Sequence, residues 1–514
     1  MKKWILWLVL VAMVFSMSGC SGEAIDPEKV QNQPGAYGNA GEETPEVLPA
    51  RDYISMIFYE DMDTHPLTAT NSENHELLKL VYSPLIRLNG SLKAEYVLAE
   101  QVTLEGTEAK ILLKSGLKFS DGSGVTAEDV ASGWKLIRNT PTSPYYNRLK
   151  NVKKFTAIDD RTLTVTLQQP DIDFINCLDI PVVKKGAKIG CGPYQFGERG
   201  GELVLVPNPQ YFTIPSISVI HLKKPANEKE RQEMFSVGLL DVYFATAESE
   251  LVFSGGKDFQ VQTYNGDNLL YLGVNCQSGL LANAELRGFL SGLIGREKLA
   301  ESVLLSQANA TAYPFQSPWY KAEGLKQDKN WTDPEKKTKA AALGLNLKEN
   351  VLLDAEGKQL TFSLLVAEGS GVHGDTAGAV ADSLALSGIK IHVETVSREI
   401  YNARLAQGEY ELYLGEVKTG RTLNTALYQT GSAINYGRFS SPDLEAAAAA
   451  YRSGEKSLAD FAEVYDQFTP IIPLAYRQGV LFVAANIGEF QSAGTWSLYG
   501  DITKLITKET ELTV

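Results

Sequence analysis

Three features of this 514-residue chain combine residue types and spacings that could do chemistry. Gly369-Ser370-Gly371-Val372-His373-Gly374 is a formal GxGxxG, with Glu394 following in the next extended run. In a dinucleotide site such glycines let the backbone approach a pyrophosphate at a helix N-terminus, and the acid takes a ribose hydroxyl. Here the unit lies deep in the chain without a second mononucleotide half, so a loop between a strand and a helix is the better reading. Cys177, Cys191 and Cys276 are an odd set that permits one disulfide at most, and they read as small buried apolar residues. The five histidines are scattered, with no HExxH and no His/Cys pair at metal-ligand spacing. The third feature is Cys20, preceded by Ser16-Met17-Ser18-Gly19. No nucleophile elbow, Ser/Lys pair or P-loop is present, and no carboxylate pair stands out among 62 acidic residues. These residues give a catalytic function no support, and no cofactor or metal is expected.

Cys20 closes an N-terminal pattern. Lys2-Lys3 is a positive start, and Trp4 to Phe15 is an apolar run too short for the ~20 residues that span a bilayer. Residues 1–19 are therefore expected to be an export signal. The small-small-Cys ending resembles a lipobox, with Met17 where Leu is usual. Cleavage before Cys20 and acylation of its thiol would tether the mature chain to the extracytoplasmic face of a membrane. Residues 20–50 carry Pro, Gly, Gln, Asn and Glu with no apolar period and read as a disordered tether. With residues 1–19 removed, 46 basic residues face 62 acidic ones and the charge is −16. That balance argues against nucleic acid as a partner.

The globular part must be organised by elements such as Lys110 to Trp134. Ile111 to Leu113 reads as a buried strand and Ser120-Asp121-Gly122 as a turn. Thr126 and Asp129 can form a capping box for a helix with Val130, Trp134 and Ile137 on one face. Further strands are expected at 53–59, 163–167, 271–275, 360–366, 389–396 and 409–414. Helices are expected after Ser72, at 286–304 and at about 375–386.

"LKFSDGSGVTAEDV" resembles the "gv+F+DG-p-tA+DV" signature of the peptide/nickel class of ABC-transporter solute-binding proteins. "VYSPLIRLNGSLKAEYVLAEQV", Gly190-Cys191-Gly192-Pro193-Tyr194, Pro207-Asn208-Pro209-Gln210-Tyr211-Phe212 and Ile471-Ile472-Pro473-Leu474-Ala475-Tyr476 resemble later motifs of that family in the right order. The resemblance runs from about 51 to about 500. It implies an α/β, two-lobed periplasmic-binding-protein-like fold (class II) with an extra subdomain in the N-terminal lobe. The implied division is domain I at 51–75, 188–266 and 481–514, domain II inserted at 76–187, and domain III at 267–480. Crossing segments near Tyr264–Leu270 and Gly479–Phe482 would be the hinge. The implied function is capture of a peptide between the lobes and delivery to ABC permease subunits by a monomeric protein. Nickel chelates, oligosaccharides and signalling peptides are alternatives, as is a sensor or adhesin lipoprotein that kept the fold.

Motif positions imply Thr70, Asn71 and Ser72 as ligand contacts, although as residues they suit a helix cap equally well. Asn435, Tyr436 and Tyr476 fall on corresponding segments of the second lobe. Tyr59 and Trp496 flank further loops near the cleft. In the resembled proteins the strand at 411–414 runs into a loop whose aspartate pairs with the peptide's α-ammonium. Here that loop, Gly415-Glu416-Val417-Lys418-Thr419-Gly420-Arg421-Thr422-Leu423-Asn424, is shorter and sets Thr419 or Gly420 where the aspartate should be. A buried ammonium without a counter-charge is costly. Either Glu416 has taken over, or the ligand has no free amine there. Lys418 and Arg421 favour the second choice, because they would suit a carboxylate or other anion, or else they point to solvent. For the N-terminus, growing cells fed a palmitate analogue should label this protein through Cys20, and Cys20→Ala should abolish the label. Labelling that persists in the variant would exclude the anchor.

Overall fold

The structure is a computed structural model that describes residues 47–245, 258–304, 307–315, 331–488 and 490–511, except positions 49, 370, 491, 501, 508 and 509. The export signal and Cys20 lie outside the described residues. So does most of the expected tether, but Val47–Leu48 at its end pairs with Thr510–Glu511.

The insertion is built around the buried strand expected at 111–113. In Glu108–Leu113 the side chains of Ala109, Ile111 and Leu113 turn inward. This strand sits inside a four-stranded antiparallel sheet ordered Ala99–Glu105, Glu108–Leu113, Thr162–Leu167, Val152–Ala157. Helix Ala127–Arg138 lies against it. Thr126 Oγ1 accepts from the Asp129 amide at 3.3 Å and Asp129 returns the bond to the Thr126 amide at 2.8 Å, so two orphan donors are satisfied. Val130, Trp134 and Ile137 are buried, with the Trp134 ring edge-on to Phe155.

The first lobe has a smaller four-stranded sheet. Tyr53–Ile57 runs parallel to Val219–Lys223, followed by Glu202–Pro207 and Tyr194–Arg199. Helix Ser72–Val81 packs beside it, and the Gly190-Cys191-Gly192 turn lies on the helix end. A Cβ at Gly190 or Gly192 would run into the Val81 and Leu80 carbonyls, which explains both glycines. Cys177 and Cys191 are buried and Cys276 partly so, all three as free thiols. Burial pushes Cys177 and Cys191 up to about 12, so they are inert packing residues.

The second lobe hangs on a seven-stranded sheet. Its central members are two long antiparallel strands, Phe259–Val274 and Ile471–Ala484. Toward the first lobe, Val242–Ala245 pairs with residues 480–483; toward the second, Leu412–Lys418 pairs with residues 268–274, followed by Thr361–Ala367 and Lys390–Val396 in parallel. Both lobes therefore share two strands that cross between them. Their register slips between Asn265 and Leu269, opposite Gln478 and Tyr476. This irregularity falls within the expected 264–270 crossing, but on the return strand it lies before 479–482. Buried Leu270, Phe289, Leu364 and Leu474 belong to a separate core of the second lobe.

Two expectations change here. Residues 286–304 form two helices, Ala284–Ser291 and Arg296–Ser302. The fully buried Arg296 bonds the Ser291 carbonyl at 2.8 Å and hydroxyl at 2.7 Å, which spans the break at Gly292–Gly295. The GxGxxG, expected as a loop before a helix at about 375, is helical from Gly371. Helix Gly371–Ala385 begins within it, so Gly371 and Gly374 are helical, and Glu394 pairs with Arg404 at 2.7 Å.

Across the shared sheet, Tyr271 faces Gly415 and Tyr413 faces Gly273, each ring lying over the opposite glycine and the two rings meeting edge to face. A Cβ at Gly273 would overlap the Tyr413 ring, which at 1% exposure cannot swing aside. Gly273→Ala should cost about 1–3 kcal/mol in a urea titration. A variant as stable as the parent would show that the ring has room to move.

Candidate functional site

A cleft with about 610 Å³ of empty space opens where the insertion, the crossing strands and the second lobe meet. Asp173 and Asn176 line it from the insertion, and Asp267 and Tyr476 from the crossing strands. Arg421 lines it from the loop after Leu412–Lys418, and Trp496 from the C-terminal segment. A second space of about 660 Å³, lined by Lys79, Arg87 and Asp179, also borders Trp496.

The electrostatics centre on one acid. Asp179 lies 2.7 Å from Arg148 Nη1 and 3.1 Å from Arg421 Nη2, so a single buried carboxylate serves two guanidiniums. Nearby, Lys79 is paired with Glu76. Lys79, Arg148 and Arg421 against Glu76 and Asp179 leave one surplus positive charge. His75 registers it: burial first, then Lys79, Arg148 and Arg421, push its pKa down to about 2. The buried Nε of Arg421 has no hydrogen-bond partner. A carboxylate or similar anion in the cleft would meet a guanidinium that shares its acid with Arg148.

The nine expected ligand residues separate into two groups. Arg421 and Tyr476 line the cleft, the latter with its hydroxyl donating to the Pro314 carbonyl at 2.6 Å. The other seven do not line it. Asn71 caps helix Ser72–Val81 by accepting from the Asn74 amide at 3.0 Å, while Thr70 and Ser72 beside it are exposed. Asn435 spends its amide on the Gln429 and Phe439 carbonyls. Tyr436 packs edge-on to Tyr413. Lys418 is exposed at the end of its strand. Glu416 is partly buried and fully engaged: it accepts from Asn268 at 2.9 Å, lies 3.0 Å from His373 Nε2 and pairs with Arg477 at 3.2 Å. Burial would raise its pKa, but His373, Arg477 and Asn268 together hold it below the usual carboxylate value. Of the flanking aromatics, Trp496 lines the cleft and Tyr59 packs against the Phe235 core.

Asp173, Asn176 and Asp267 were missed. Asp267 had a signal, because Asn265-Gly266-Asp267-Asn268 puts turn residues inside an apolar strand and so marks a bulge. Asp173 had none.

Residues 93–431 match the model of the bacterial extracellular solute-binding proteins, family 5 Middle. The chain belongs to this family. Among curated relatives, the oligopeptide-binding protein AppA of Bacillus subtilis is 23% identical over 422 residues, covering 76% of this chain and 75% of that protein. The glutathione-binding protein GsiB of Escherichia coli is 25% identical over 276 residues, 49% and 54% of the two chains. Among solved structures, the unliganded open form of the periplasmic murein tripeptide binding protein MppA superposes with a TM-score of 0.70 at 19% identity, covering 91% of this chain and 99% of that one. A nickel ABC transporter protein from Bacillus halodurans also gives 0.70, at 15% identity, covering 89% and 100%. The α/β two-lobed fold is thus that of the periplasmic binding proteins. As a family 5 member the chain is a solute-binding protein and not an enzyme. No helix among the described residues is long and apolar enough to cross a membrane.

Asp173 ties the insertion to the second lobe by accepting from the Leu423 amide at 3.2 Å and the Tyr451 hydroxyl at 3.1 Å. Burial, then Asp171, raise its pKa to about 6 despite those bonds. The folded value exceeds the unfolded one, so the native state holds this proton more tightly between the two. Its stabilising effect is fully present below the unfolded pKa and is lost as pH rises through about 6. In urea titrations, the stability advantage of Asp173→Asn over the parent should shrink by about 1–2 kcal/mol from pH 7.5 to pH 5. A constant difference would show that Asp173 titrates normally.

Proposed function

We propose that this family 5 protein is the membrane-anchored substrate-binding lipoprotein of an ABC importer. It captures a peptide or peptide-like solute between its lobes and delivers it to the permease. The observation that carries the reading is the cleft itself: insertion, crossing strands and second-lobe loop all border it, and Arg421, which shares Asp179 with Arg148, lines it. An extended peptide can be held through its main chain while roomy pockets tolerate many side chains. The names of AppA, GsiB and MppA, which refer to peptides, support that ligand class. Lipidation at Cys20 supplies the anchor, and the division into domains I, II and III at the boundaries given above supplies the moving bodies.

The mechanism follows from contacts that exist only when the lobes are together. A ligand that touches both sides binds the closed form better and shifts the open–closed equilibrium by that difference in affinity. Arg421 holds the acidic end of the ligand. Glu416, spent on His373, Arg477 and Asn268, instead braces the crossing strands against helix Gly371–Ala385.

A thermal-shift screen with di- to hexapeptides, nickel ions and oligosaccharides tests the ligand class. A peptide at a hundredfold excess over its Kd should stabilise the protein by about 2.7 kcal/mol. Shifts with nickel or oligosaccharides alone would move the ligand out of the peptide class. By calorimetry, Arg421→Ala should weaken peptide binding by about 1.5–3 kcal/mol, the range of a hydrogen bond to a charged group. Glu416→Ala should weaken it less, and the reverse order would return the anchoring role to Glu416.

A further inference from the structure

The crossing strands do something at their bulge that loop 415–424 alone does not suggest. Asn265 pairs with Gln478 and Leu269 with Tyr476, so Gly266, Asp267 and Asn268 have no regular partners on the return strand. Asn268 is turned to Glu416, at 2.9 Å. Asp267 borders the cleft, and its backbone is fixed by the Thr419 amide and hydroxyl, which donate to its carbonyl at 3.0 and 3.3 Å. Thr419 and Gly420 are the two residues that stand where the loop lacks an acid. A carboxylate is therefore present next to that gap, delivered from a different strand.

Every neighbouring acid is occupied. Asp173 accepts from Leu423 and Tyr451, Asp179 serves Arg148 and Arg421, and Glu416 has three partners. The Asp267 carboxylate, partly withdrawn from water, takes no hydrogen bond and no ion pair among the described residues. Arg421, on the same cleft, has its buried Nε without a partner and, among the described residues, shares its one acid with Arg148. An incompletely neutralised guanidinium and an unneutralised carboxylate thus face one space, with the aromatic rings of Tyr476 and Trp496 on its wall. Burying either charge without a partner is unfavourable, so each favours a ligand group of opposite sign.

We infer that Asp267 and Arg421 are paired anchors for a zwitterionic ligand, with Asp267 taking an ammonium and Arg421 an acid group. The inference rests on the cleft being the solute site and adds the charge pattern of the solute. It also adds a third source for the missing counter-charge besides Glu416 and an amine-free ligand. A neutral sugar would leave both protein charges unmet, and a purely anionic ligand would leave Asp267 unmet.

Calorimetry on the full chain with alanine peptides of two to six residues, as free, N-acetylated and C-amidated forms, separates the possibilities. N-acetylation should weaken binding to the parent at least tenfold, and amidation likewise. In Asp267→Asn the free peptide should already be weakened, and acetylation should cost little more. In Arg421→Gln the same should hold for amidation. Because the acetylated and amidated peptides are tested on the unmodified protein, a variant that folds poorly cannot rescue the idea. Binding that survives acetylation in the parent, or an acetylation penalty unchanged in Asp267→Asn, overturns the assignment of Asp267 alone. No binding of any free peptide overturns the reading of the cleft as a peptide site.

Discussion

A sheet ladder cannot be interrupted cheaply, because every buried amide and carbonyl it releases must find another partner. The two strands Phe259–Val274 and Ile471–Ala484 meet that constraint while crossing between the lobes. Where their register slips, the Asn265 carbonyl accepts from the Thr495 amide at 2.9 Å and its side chain accepts from Gln478 at 3.1 Å; the Asp267 carbonyl takes Thr419. The C-terminal segment and the 415–424 loop are thereby fastened to the same short irregularity. That is why Trp496, Thr419 and Arg421 come together beside it, although they are far apart in the chain. The bulge is a device for assembling a site from separate segments and for turning polar side chains out of a sheet.

Charge is arranged to the same end. Arg421 is positioned by Asp179, a residue of the insertion, and Arg148 competes for that acid from the insertion side. Neither guanidinium is fully neutralised, and the basicity of His75 is suppressed first by burial and then by Lys79 and these two cations. A donor held in place before the ligand arrives loses little entropy when it binds, and so contributes more to affinity than a mobile surface cation such as Lys418. The same ion pair links the insertion to the second-lobe loop, as the Asp173 bonds to Leu423 and Tyr451 do. On the proposed reading, ligand contact and lobe–lobe contact are carried by neighbouring groups, which is what coupling binding to closure requires.

Much of the architecture was legible in local chemistry. Thr126 and Asp129 cap as their spacing suggested, Val130, Trp134 and Ile137 are buried, and the βαβ unit over 361–396 lies where the apolar pattern put it. Element ends were less legible, because pairing with distant strands extends the strand expected at 271–275 back to Phe259. The site was harder. Asn71 and Asn435 carry polar groups that local backbone satisfies, a choice that composition cannot reveal. Glu416 looked available in a loop read by itself, yet three residues from other segments consume it. Arg421 was visible because it sits in the loop that departs from its relatives. Asp267 had only the bulge signal of its turn residues, and which space it borders depends on a partner strand about two hundred residues away.

The central claim is that the interlobe cleft is the solute site and that its charges select the solute. The most direct measurement is a crystal structure of the full chain with the alanine peptide that gives the largest thermal shift. The peptide is predicted to lie between the lobes, with its acid group on the Arg421 guanidinium and its ammonium on the Asp267 carboxylate. A peptide bound outside the cleft, or inside it with both of those side chains still without a ligand contact, would contradict it.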